Sequence, residues 1–341
     1  MKAVVLEKYR APLREVSRPL PEPGPRQVLV DVVAAGVNHA DERMRTGEFS
    51  ALFRPTLPAV AGIELSGTVR AVGSAVTEVR VGDAVFACTG EAVMGAFAEV
   101  AVVDVDAVAP VPTSTSPVEA AALPVVALTA WQGLVGIGRL TAGQRVLING
   151  GAGGVGSVAI QLATHLGASV VTTVSARDAD AVRALGADEV IDYRTQDVVE
   201  VLRDRPVDLV LDTRGGAVTT ASLQVTRRGG TVIGIAGTPE PSLADQVGAG
   251  RLVKAVLAVM SLPLRRRARA RGVTYRFLFI HLDGAALRTI AGLVDDGVLR
   301  PSVGRVLPLA RAGEALAQVS GGGVRGKVLV TTDARAVTPE D

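Results

Sequence analysis

Residues 145–168 read RVLINGGAGGVGSVAIQLATHLGA. The first six residues form an apolar run typical of a strand, and SVAIQLATHLGA carries apolar residues at helical spacing. Between them Gly151, Gly153 and Gly156 supply the pattern G-x-G-x-x-G in the one context that makes it meaningful, between a strand and a helix. A glycine-rich turn that serves only packing is the alternative. The flanking strand and helix favour a turn that binds a dinucleotide.

Each glycine of this turn has a predicted task. Gly151 permits the tight turn, Gly153 lets the backbone approach a pyrophosphate, and Gly156 allows the helix to pack closely on the strand. The N–H groups and the dipole at the helix start favour phosphate charge there. We therefore expect the turn, with Gly154 and Val155, to bind a dinucleotide cofactor.

The end of the next predicted strand selects between NAD and NADP. An Asp or Glu at this place hydrogen-bonds the ribose hydroxyls of NAD. The segment TTVSARD places Val174 and Ser175 there, and Arg177, whose guanidinium suits a phosphate, follows. The sequence thus predicts NADP(H). The alternative is that Asp178 is the ribose-binding acid and that Arg177 only pairs with it.

Apolar strands alternate with helical stretches along the middle of the chain. This alternation indicates an α/β fold with a doubly wound parallel sheet, whereas residues 1–110 contain many short strand-like runs and indicate a mostly β domain. A helix near 284–296, a strand near 305–309, a helix near 310–318 and a closing strand GKVLVTT follow. The predicted strands of the parallel sheet are RVLING (145–150), SVVTTV (169–174), EVIDY (189–193), DLVLDT (208–213), TVIGIAG (231–237) and YRFLFI (275–280).

Composition limits the class of protein. The chain has 341 residues, 48% of them hydrophobic, which is enough for two cores. Its net charge of +2 gives no global field for nucleic acid, so a small-molecule partner fits better. The single cysteine, Cys88, permits no internal disulfide, and the N-terminus lacks the apolar core of a signal peptide. No apolar run is long enough to span a membrane. We expect a soluble cytoplasmic protein.

One segment is unusual because it joins an apolar helix to an arginine cluster. RLVKAVLAVMSLPLRRRARARG, residues 251–272, contains Arg265, Arg266, Arg267, Arg269 and Arg271. A helical excursion with a solvated basic face is the first interpretation. An anionic membrane surface or an acidic partner is the alternative.

Ordered blocks over nearly the whole chain resemble one family, the zinc-independent quinone oxidoreductase branch of the medium-chain dehydrogenase/reductase superfamily. The resemblance implies a GroES-like catalytic domain, residues 1–121 completed by 282–341, and a Rossmann NADP(H)-binding domain, residues 122–281, with a cleft where they meet. It also implies a homodimer through the edge strand YRFLFI. The blocks include AAGVNHADERMRTGEF (34–49), LPAVAGIELSGTVRAVG (57–73), LPVVALTAWQGL (123–134), LGADEVIDYR (185–194) and RGKVLV (325–330).

The chain departs from the zinc-dependent relatives at their metal ligands. Asn38 stands where those dehydrogenases have a cysteine ligand, and Ile63 stands where they have a histidine. His39 and Glu64 remain as conceivable ligands, but a catalytic zinc normally needs three from the protein. The resemblance therefore implies no metal.

The resemblance also implies site residues. Ser175, Arg177 and Tyr193 are expected at the 2′-phosphate of NADP(H), although Tyr193 has strand-edge packing as an alternative. Lys327 is expected near the cofactor, with a surface charge as its alternative. The other positions expected to contact the cofactor, mostly on the nicotinamide side, are Thr129, Ile235, Gly237 and Phe279.

Without a metal, hydride transfer needs a cofactor held against an electrophile. Asn38 is a candidate to hydrogen-bond a ribose hydroxyl or a substrate oxygen, and Asp41 is either a proton relay or the salt-bridge partner of Arg45. Phe49 takes a place where related reductases often have a tyrosine, and phenylalanine cannot donate a proton.

The leading hypothesis is NADPH-dependent reduction of a quinone or another α,β-unsaturated carbonyl. An enoyl-thioester reductase of polyketide or fatty-acid metabolism is the first alternative, although Phe49 speaks against it. A non-catalytic protein that binds or senses NADPH is the second.

Overall fold

The structure is a computed structural model that describes residues 1–50, 52–53, 55–90 and 93–338. The chain divides into two compact units, Met1–Leu128 with His281–Asp341, and Thr129–Ile280. The strands are β1 Lys2–Leu6, β2 Arg14–Ser17, β3 Gln27–Val37, β4 Ala59–Val60, β5 Glu64–Val72, β6 Ala84–Cys88, β7 Val100–Asp104, β8 Val108–Pro110, β9 Arg145–Asn149, β10 Ser169–Val174, β11 Glu189–Asp192, β12 Val207–Asp212, β13 Thr226–Gly234, β14 Thr274–Phe277, β15 Val303–Pro308 and β16 Lys327–Thr331.

Helices alternate with the strands in the second half of the chain. A π-helical stretch, Gln132–Ile137, continues the third helix. The α-helices are α1 His39–Thr46, α2 Pro117–Ala120, α3 Pro124–Trp131, α4 Gly154–His165, α5 Ala179–Ala184, α6 Val198–Leu202, α7 Ala217–Val225, α8 Ser242–Gln246, α9 Arg251–Ala270, α10 Gly284–Asp295 and α11 Ala312–Gly321.

The unit Thr129–Ile280 is built on one parallel sheet. Its strand order is β11-β10-β9-β12-β13-β14, and each neighbouring pair is parallel. This is the doubly wound order of a Rossmann fold, in which successive strands are added first on one side of the first strand, β9, and then on its other side. The predicted Rossmann sheet is confirmed. Both faces of such a sheet are covered, which is why its strands are continuous apolar runs. Central residues such as Leu147, Val171 and Val210 are fully buried.

Two of the predicted strands, TVIGIAG and YRFLFI, end three residues earlier in the structure. The ladder between β13 and β14 finishes at the pair Gly234 and Phe277. Beyond this pair, the chain leaves the sheet, so the segments from Ile235 and from Leu278 onward are loops although their residues are apolar. Strand ends depend on where the partner strand stops, which periodicity alone does not reveal.

The other unit is mostly β, as expected for a GroES-like domain. Its seven-stranded sheet has the order β15-β16-β3-β5-β6-β8, with β7 also paired to β3, and a three-stranded sheet has the order β2-β1-β4. Strand β16 pairs with β3 antiparallel, Val328 opposite Val37. The C-terminal part of the chain therefore completes a sheet that begins near the N-terminus.

The arginine-rich segment forms one long helix, α9, which runs through Pro263 and packs beside the edge strand β14. Within the described residues, no helix is long and apolar enough to cross a lipid bilayer.

Candidate active site

The glycine-rich turn lies between β9 and α4, as predicted. Gly150 has a φ of +75°, in the left-handed region that favours glycine, whereas Gly151 does not. A Cβ on Gly151 would lie 2.2 Å from Oγ1 of Thr172 on the neighbouring strand. The tight turn is thus the task of Gly150, and Gly151 is needed for close packing on β10. On this point the sequence prediction was wrong.

Gly156 has the predicted packing role, because a Cβ there would lie 2.2 Å from the carbonyl oxygen of Gly150. Gly153 differs, since the nearest atom to a Cβ at this position would be the Gly150 oxygen at an ordinary 3.4 Å. Gly153 is exposed and caps α4, whose first-turn N–H groups, including those of Gly154 and Val155, have no acceptor within the helix. An open glycine beside such donors fits a bound pyrophosphate.

The predicted 2′-phosphate residues follow the adjacent strands β10 and β11. The Ser175 hydroxyl donates to Oδ2 of Asp178 at 2.8 Å, and Nε of Arg177 donates to the same oxygen at 3.3 Å. Asp178 is buried, while the Arg177 side chain is 61% exposed. Tyr193 comes directly after β11 and is 57% exposed, so it is not packed as a strand edge. The pairing of Arg177 with Asp178 that we weighed does form.

The segment after β13 is held by a tyrosine that the sequence analysis did not select. Tyr275 on β14 donates its hydroxyl to the carbonyl oxygen of Thr238 at 2.9 Å. A Cβ on Gly237 would lie 2.8 Å from this hydroxyl oxygen, so a larger residue there would push against Tyr275. Ile235 begins the segment, and its N–H donates to the carbonyl of Asp212 at 3.0 Å. Burial, with the carboxylates of Asp212 and Glu240 nearby, raises the pKa of Tyr275, which keeps it a neutral donor.

Two more predicted cofactor positions lie in this unit. Thr129 is buried in α3, and Phe279 follows β14, with its carbonyl accepting a bond from Nε2 of Gln246 at 2.7 Å. The predicted positions Thr129, Gly151 to Gly156, Ser175, Arg177, Tyr193, Ile235, Gly237 and Phe279 thus all belong to the unit Thr129–Ile280. Apart from Thr129, they lie at or beyond the carboxyl ends of its strands, where open α/β sheets bind ligands.

In the other unit, three predicted or weighed residues form a buried cluster, which we call the Asn38–Glu64–Lys327 cluster. Nζ of Lys327 lies 2.5 Å from Oε1 of Glu64 and 2.5 Å from Oδ1 of Asn38. Nδ2 of Asn38 donates to the same Glu64 oxygen at 2.8 Å. All three residues are at least 93% buried. Lys327 is therefore not a surface charge, which excludes the alternative weighed for it.

The sheet explains why these distant residues meet. Asn38 follows the last residue of β3, Glu64 opens β5 and Lys327 opens β16, and both β5 and β16 pair antiparallel with β3. Antiparallel neighbours bring the end of one strand next to the start of the other. A Cβ on Gly36 would lie 2.2 Å from Oε1 of Glu64, so this glycine makes room for the carboxylate.

The second carboxylate oxygen of Glu64, Oε2, accepts the backbone N–H of Val125 at 2.7 Å, and Nζ of Lys327 also donates to the carbonyl of Val37 at 3.1 Å. A buried ion pair is stable only when its remaining donors and acceptors are bonded in this way. The cluster consequently fixes the orientation of the Asn38 amide, with its oxygen towards the ammonium and its nitrogen towards the carboxylate.

Asp41 is buried and caps α1. Its Oδ2 accepts the backbone N–H of Asn38 at 2.7 Å, in a capping-box arrangement. One alternative for Asp41 was a salt bridge with Arg45. The guanidinium of Arg45 instead donates twice to Glu42, each time at 2.7 Å. The spacing of one helical turn was right, but the wrong carboxylate was paired.

Phe49 packs beside this region. Its ring lies edge-on to Phe53, with centroids 6.3 Å apart, and the guanidinium of Arg43 lies 4.3 Å above it. It belongs to an apolar cluster with Met44, Ile63 and Met94. The ring fills space and offers no proton.

Ile63 lies in that apolar cluster and Glu64 is engaged by Lys327. Across residues 1–50, 52–53, 55–90 and 93–338, no group of three or more His, Cys, Asp or Glu side chains is placed to hold a metal ion.

Glu64 and Tyr275 are the two residues whose roles the sequence analysis missed. Glu64 was weighed only as a metal ligand, and Tyr275 only as part of an edge strand. The sequence contains one signal for Glu64, which is that this glutamate follows the apolar Ile63 at the start of a strand. Its partner Lys327 lies 263 positions later, and only the strand pairing of the sheet shows that the two meet.

Two described families match parts of the chain. Residues 24–113 match the family described as "Alcohol dehydrogenase GroES-like domain", and residues 185–330 match the family described as "Zinc-binding dehydrogenase".

Individual relatives extend the match over nearly the whole chain. The human protein named "NAD(P)H oxidoreductase RTN4IP1, mitochondrial" is 34% identical over 326 residues, covering 90% of this chain and 82% of its own. The Arabidopsis thaliana protein named "NADPH-dependent alkenal/one oxidoreductase, chloroplastic" is 40% identical over 230 residues, covering 65% and 58%.

A solved structure, the Escherichia coli quinone oxidoreductase complexed with NADPH, is 25% identical, with a TM-score of 0.82 over 97% of this chain and 100% of that one. These relatives confirm the predicted cofactor at the level of NAD(P)H. The chain therefore belongs to the medium-chain dehydrogenase/reductase superfamily, among its quinone and NAD(P)H oxidoreductases.

Proposed function

We propose that the protein reduces a quinone or another α,β-unsaturated carbonyl with NADPH, by hydride transfer without a metal. The Asn38–Glu64–Lys327 cluster is the observation that supports hydride transfer without a metal. The Lys327 ammonium already holds the Glu64 carboxylate at 2.5 Å, so a cation at Glu64 has to displace a buried ion pair. Asn38 offers an amide and Ile63 a hydrocarbon, and neither is a zinc ligand.

The cofactor contacts follow from the unit Thr129–Ile280, which we propose as the NADP(H) domain. NADPH supplies the hydride when bound. The turn from Gly150 to Gly156 receives the pyrophosphate, and Gly153 leaves space for it. Ser175, Arg177 and Tyr193 receive the 2′-phosphate, and for this the exposed Arg177 guanidinium turns from Asp178 to the phosphate.

The unit Met1–Leu128 with His281–Asp341 is the proposed catalytic domain. In it, Lys327 and Glu64 hold Asn38 in one orientation, and Asp41 fixes the start of the helix that follows. We propose Asn38 and Asp41 as the residues nearest the reaction. For a quinone, the reduced product can take its protons from water, so Phe49 is compatible with the reaction.

The substrate class is supported by two of the relatives, which are named an alkenal/one oxidoreductase and a quinone oxidoreductase. We further propose a homodimer. A cytoplasmic location is in keeping with a single cysteine, Cys88, which is buried in β6.

Steady-state oxidation of NADPH, followed at 340 nm with three acceptors, tests this function. The acceptors are 1,4-benzoquinone, but-3-en-2-one and a crotonyl thioester. We expect turnover with the first two and little with the thioester, because a thioester is a weaker hydride acceptor than a quinone or an enone and Phe49 offers no proton to assist its reduction. Preferred turnover of the thioester would instead support the enoyl-thioester reductase. NADPH binding without turnover of any acceptor would support a non-catalytic role.

A further inference from the structure

Helix α9 turns an apolar face outward. Leu252, Val256, Val259 and Met260 are 80%, 48%, 71% and 57% exposed. They occupy positions i, i+4, i+7 and i+8, which lie on one side of an α-helix. Further along the same side come Arg266 and Arg267, at i+14 and i+15. We call these six residues the outer face of α9.

The opposite side of the helix holds it to its own unit. Leu257, Ser261 and Ala268 are buried, and Ala268 belongs to the core that includes Tyr275 of the edge strand. Packing of the helix therefore does not require the outer face. Exposed aliphatic side chains that adjoin one another, rather than occurring singly, usually mark an interaction surface.

The surroundings of the outer face are strongly basic. From Gln246 to Leu282 the sequence contains no Asp or Glu. The basic residues in this interval are Arg251, Lys254, Arg265, Arg266, Arg267, Arg269, Arg271 and Arg276. Of these, Lys254 pairs with Asp245 at 2.7 Å, and Arg276 lies 4.0 Å from Glu240. The remaining excess of positive charge favours an anionic partner.

We propose that the outer face of α9 docks the protein on the surface of an anionic lipid bilayer. An amphipathic helix that carries both aliphatic residues and arginines lies in the plane of the membrane interface. The aliphatic half enters the acyl boundary, and Arg266 and Arg267 pair with headgroup phosphates, which are bidentate partners for guanidinium. Such docking needs no spanning helix.

A second copy of the chain fits this face less well. If two α9 helices paired antiparallel along their length, Arg251 of one would approach Arg266 and Arg267 of the other. If they paired parallel, each arginine would lie opposite the same arginine of the second chain. Both arrangements place like charges together, which destabilises an interface. A bilayer surface supplies the anionic charge and the apolar layer at once.

Flotation of the purified full chain with lipid vesicles tests the proposal. The vesicles contain phosphatidylcholine alone or with phosphatidylglycerol, and no substrate is present. We expect at least about tenfold stronger partitioning onto the phosphatidylglycerol vesicles, weakened by salt. Val259→Glu with Met260→Glu, and separately Arg266→Glu with Arg267→Glu, each lower partitioning by about tenfold or more.

Val81→Glu and Arg80→Glu are the matched controls, since Val81 is 63% exposed and Arg80 is exposed, and both lie outside α9. They leave partitioning unchanged, and all variants keep the wild-type melting temperature. Equal partitioning onto both vesicle types, or no effect of the two α9 variants, would overturn the proposal.

Light scattering on the same proteins separates the second-copy alternative. If Val259→Glu with Met260→Glu turned a dimer into a monomer, the outer face would be an interface between two chains, and the proposal would be wrong. Because vesicle binding is measured without turnover, its failure and that of the proposed reductase activity are distinguishable.

Discussion

Lys327 is the residue whose surroundings differ most from what its type leads one to expect. Lysines are rarely buried unless paired, and this one is paired with Glu64 and hydrogen-bonded to Asn38. Both partners come from strands paired with β3, far away in the sequence. The sequence indicated that Asn38 and Lys327 matter, but not that they touch, because the sheet register that joins them is not a local property.

Removing the ammonium should leave a buried carboxylate without its countercharge. For Lys327→Met we expect unfolding to become easier by about 3–5 kcal/mol, measured by urea denaturation. Arg183→Ala removes an exposed ion pair with Asp180 and should change stability by less than about 1 kcal/mol.

Because Lys327→Met alone is expected to fold poorly, a second variant keeps the prediction testable. Glu64→Gln combined with Lys327→Met should recover part of the lost stability, since no unpaired charge then remains in the interior. Equal stability of the single variant and the wild type would show that the ion pair does not form.

Arg177 is the residue that selects the cofactor in our account. We expect Arg177→Ala to raise the KM for NADPH by about 10–100-fold and to leave the KM for NADH nearly unchanged, because only NADPH carries the 2′-phosphate. Steady-state kinetics with both cofactors measures this, with Arg183→Ala as the control. An equal rise for both cofactors would exclude a phosphate contact.

At the scale of elements, the apolar strands of the parallel sheet were predictable, because strands covered on both faces are continuous apolar runs. Their ends were less predictable. The apolar residues Ile235 and Leu278 look like strand residues, yet they lie beyond the last ladder pair, Gly234 with Phe277. The same limit applies to the glycine-rich turn, whose position was predicted while the task of Gly151 was not.

The turn between β9 and α4 allows packing and cofactor binding to be separated by two glycines. Gly153→Ala should change stability by at most about 1 kcal/mol, because its Cβ meets the nearest atom at 3.4 Å, but it should weaken NADPH binding. Gly156→Ala should destabilise the fold, because its Cβ would lie 2.2 Å from the Gly150 oxygen.

Thermal unfolding with and without NADPH measures both effects. The cofactor-induced rise in melting temperature should shrink for Gly153→Ala, whose unliganded melting temperature stays near that of the wild type. A full cofactor-induced rise for Gly153→Ala would mean that the pyrophosphate does not approach this glycine.

At the scale of the whole molecule, the edge strand β14 leaves one side of the parallel sheet without a neighbouring strand within the part of the chain that is described. Such an edge can pair with the same strand of a second copy. Light scattering should therefore give twice the mass of one chain. A single-chain mass at micromolar concentration would contradict the proposed homodimer.

The two units carry different parts of the proposed chemistry. The unit Thr129–Ile280 holds the residues that we propose bind the dinucleotide, and the unit Met1–Leu128 with His281–Asp341 holds the Asn38–Glu64–Lys327 cluster. This proposed assignment of roles to the two units follows from the resemblance, since ordered motifs extend along the chain. The identity of the substrate was not predictable, because no single residue type specifies a quinone.

The most direct test of hydride transfer without a metal uses NADPH that carries deuterium at both C4 positions of the nicotinamide, so that transfer from either face delivers deuterium. The protein is first treated with a chelator, then mixed with but-3-en-2-one, and the product is analysed by mass spectrometry. We predict one deuterium in the reduced product, and the same rate for the chelator-treated protein as for the untreated protein with the same deuterated cofactor. Loss of turnover on chelation with recovery on adding zinc, or a product without deuterium, would contradict the account.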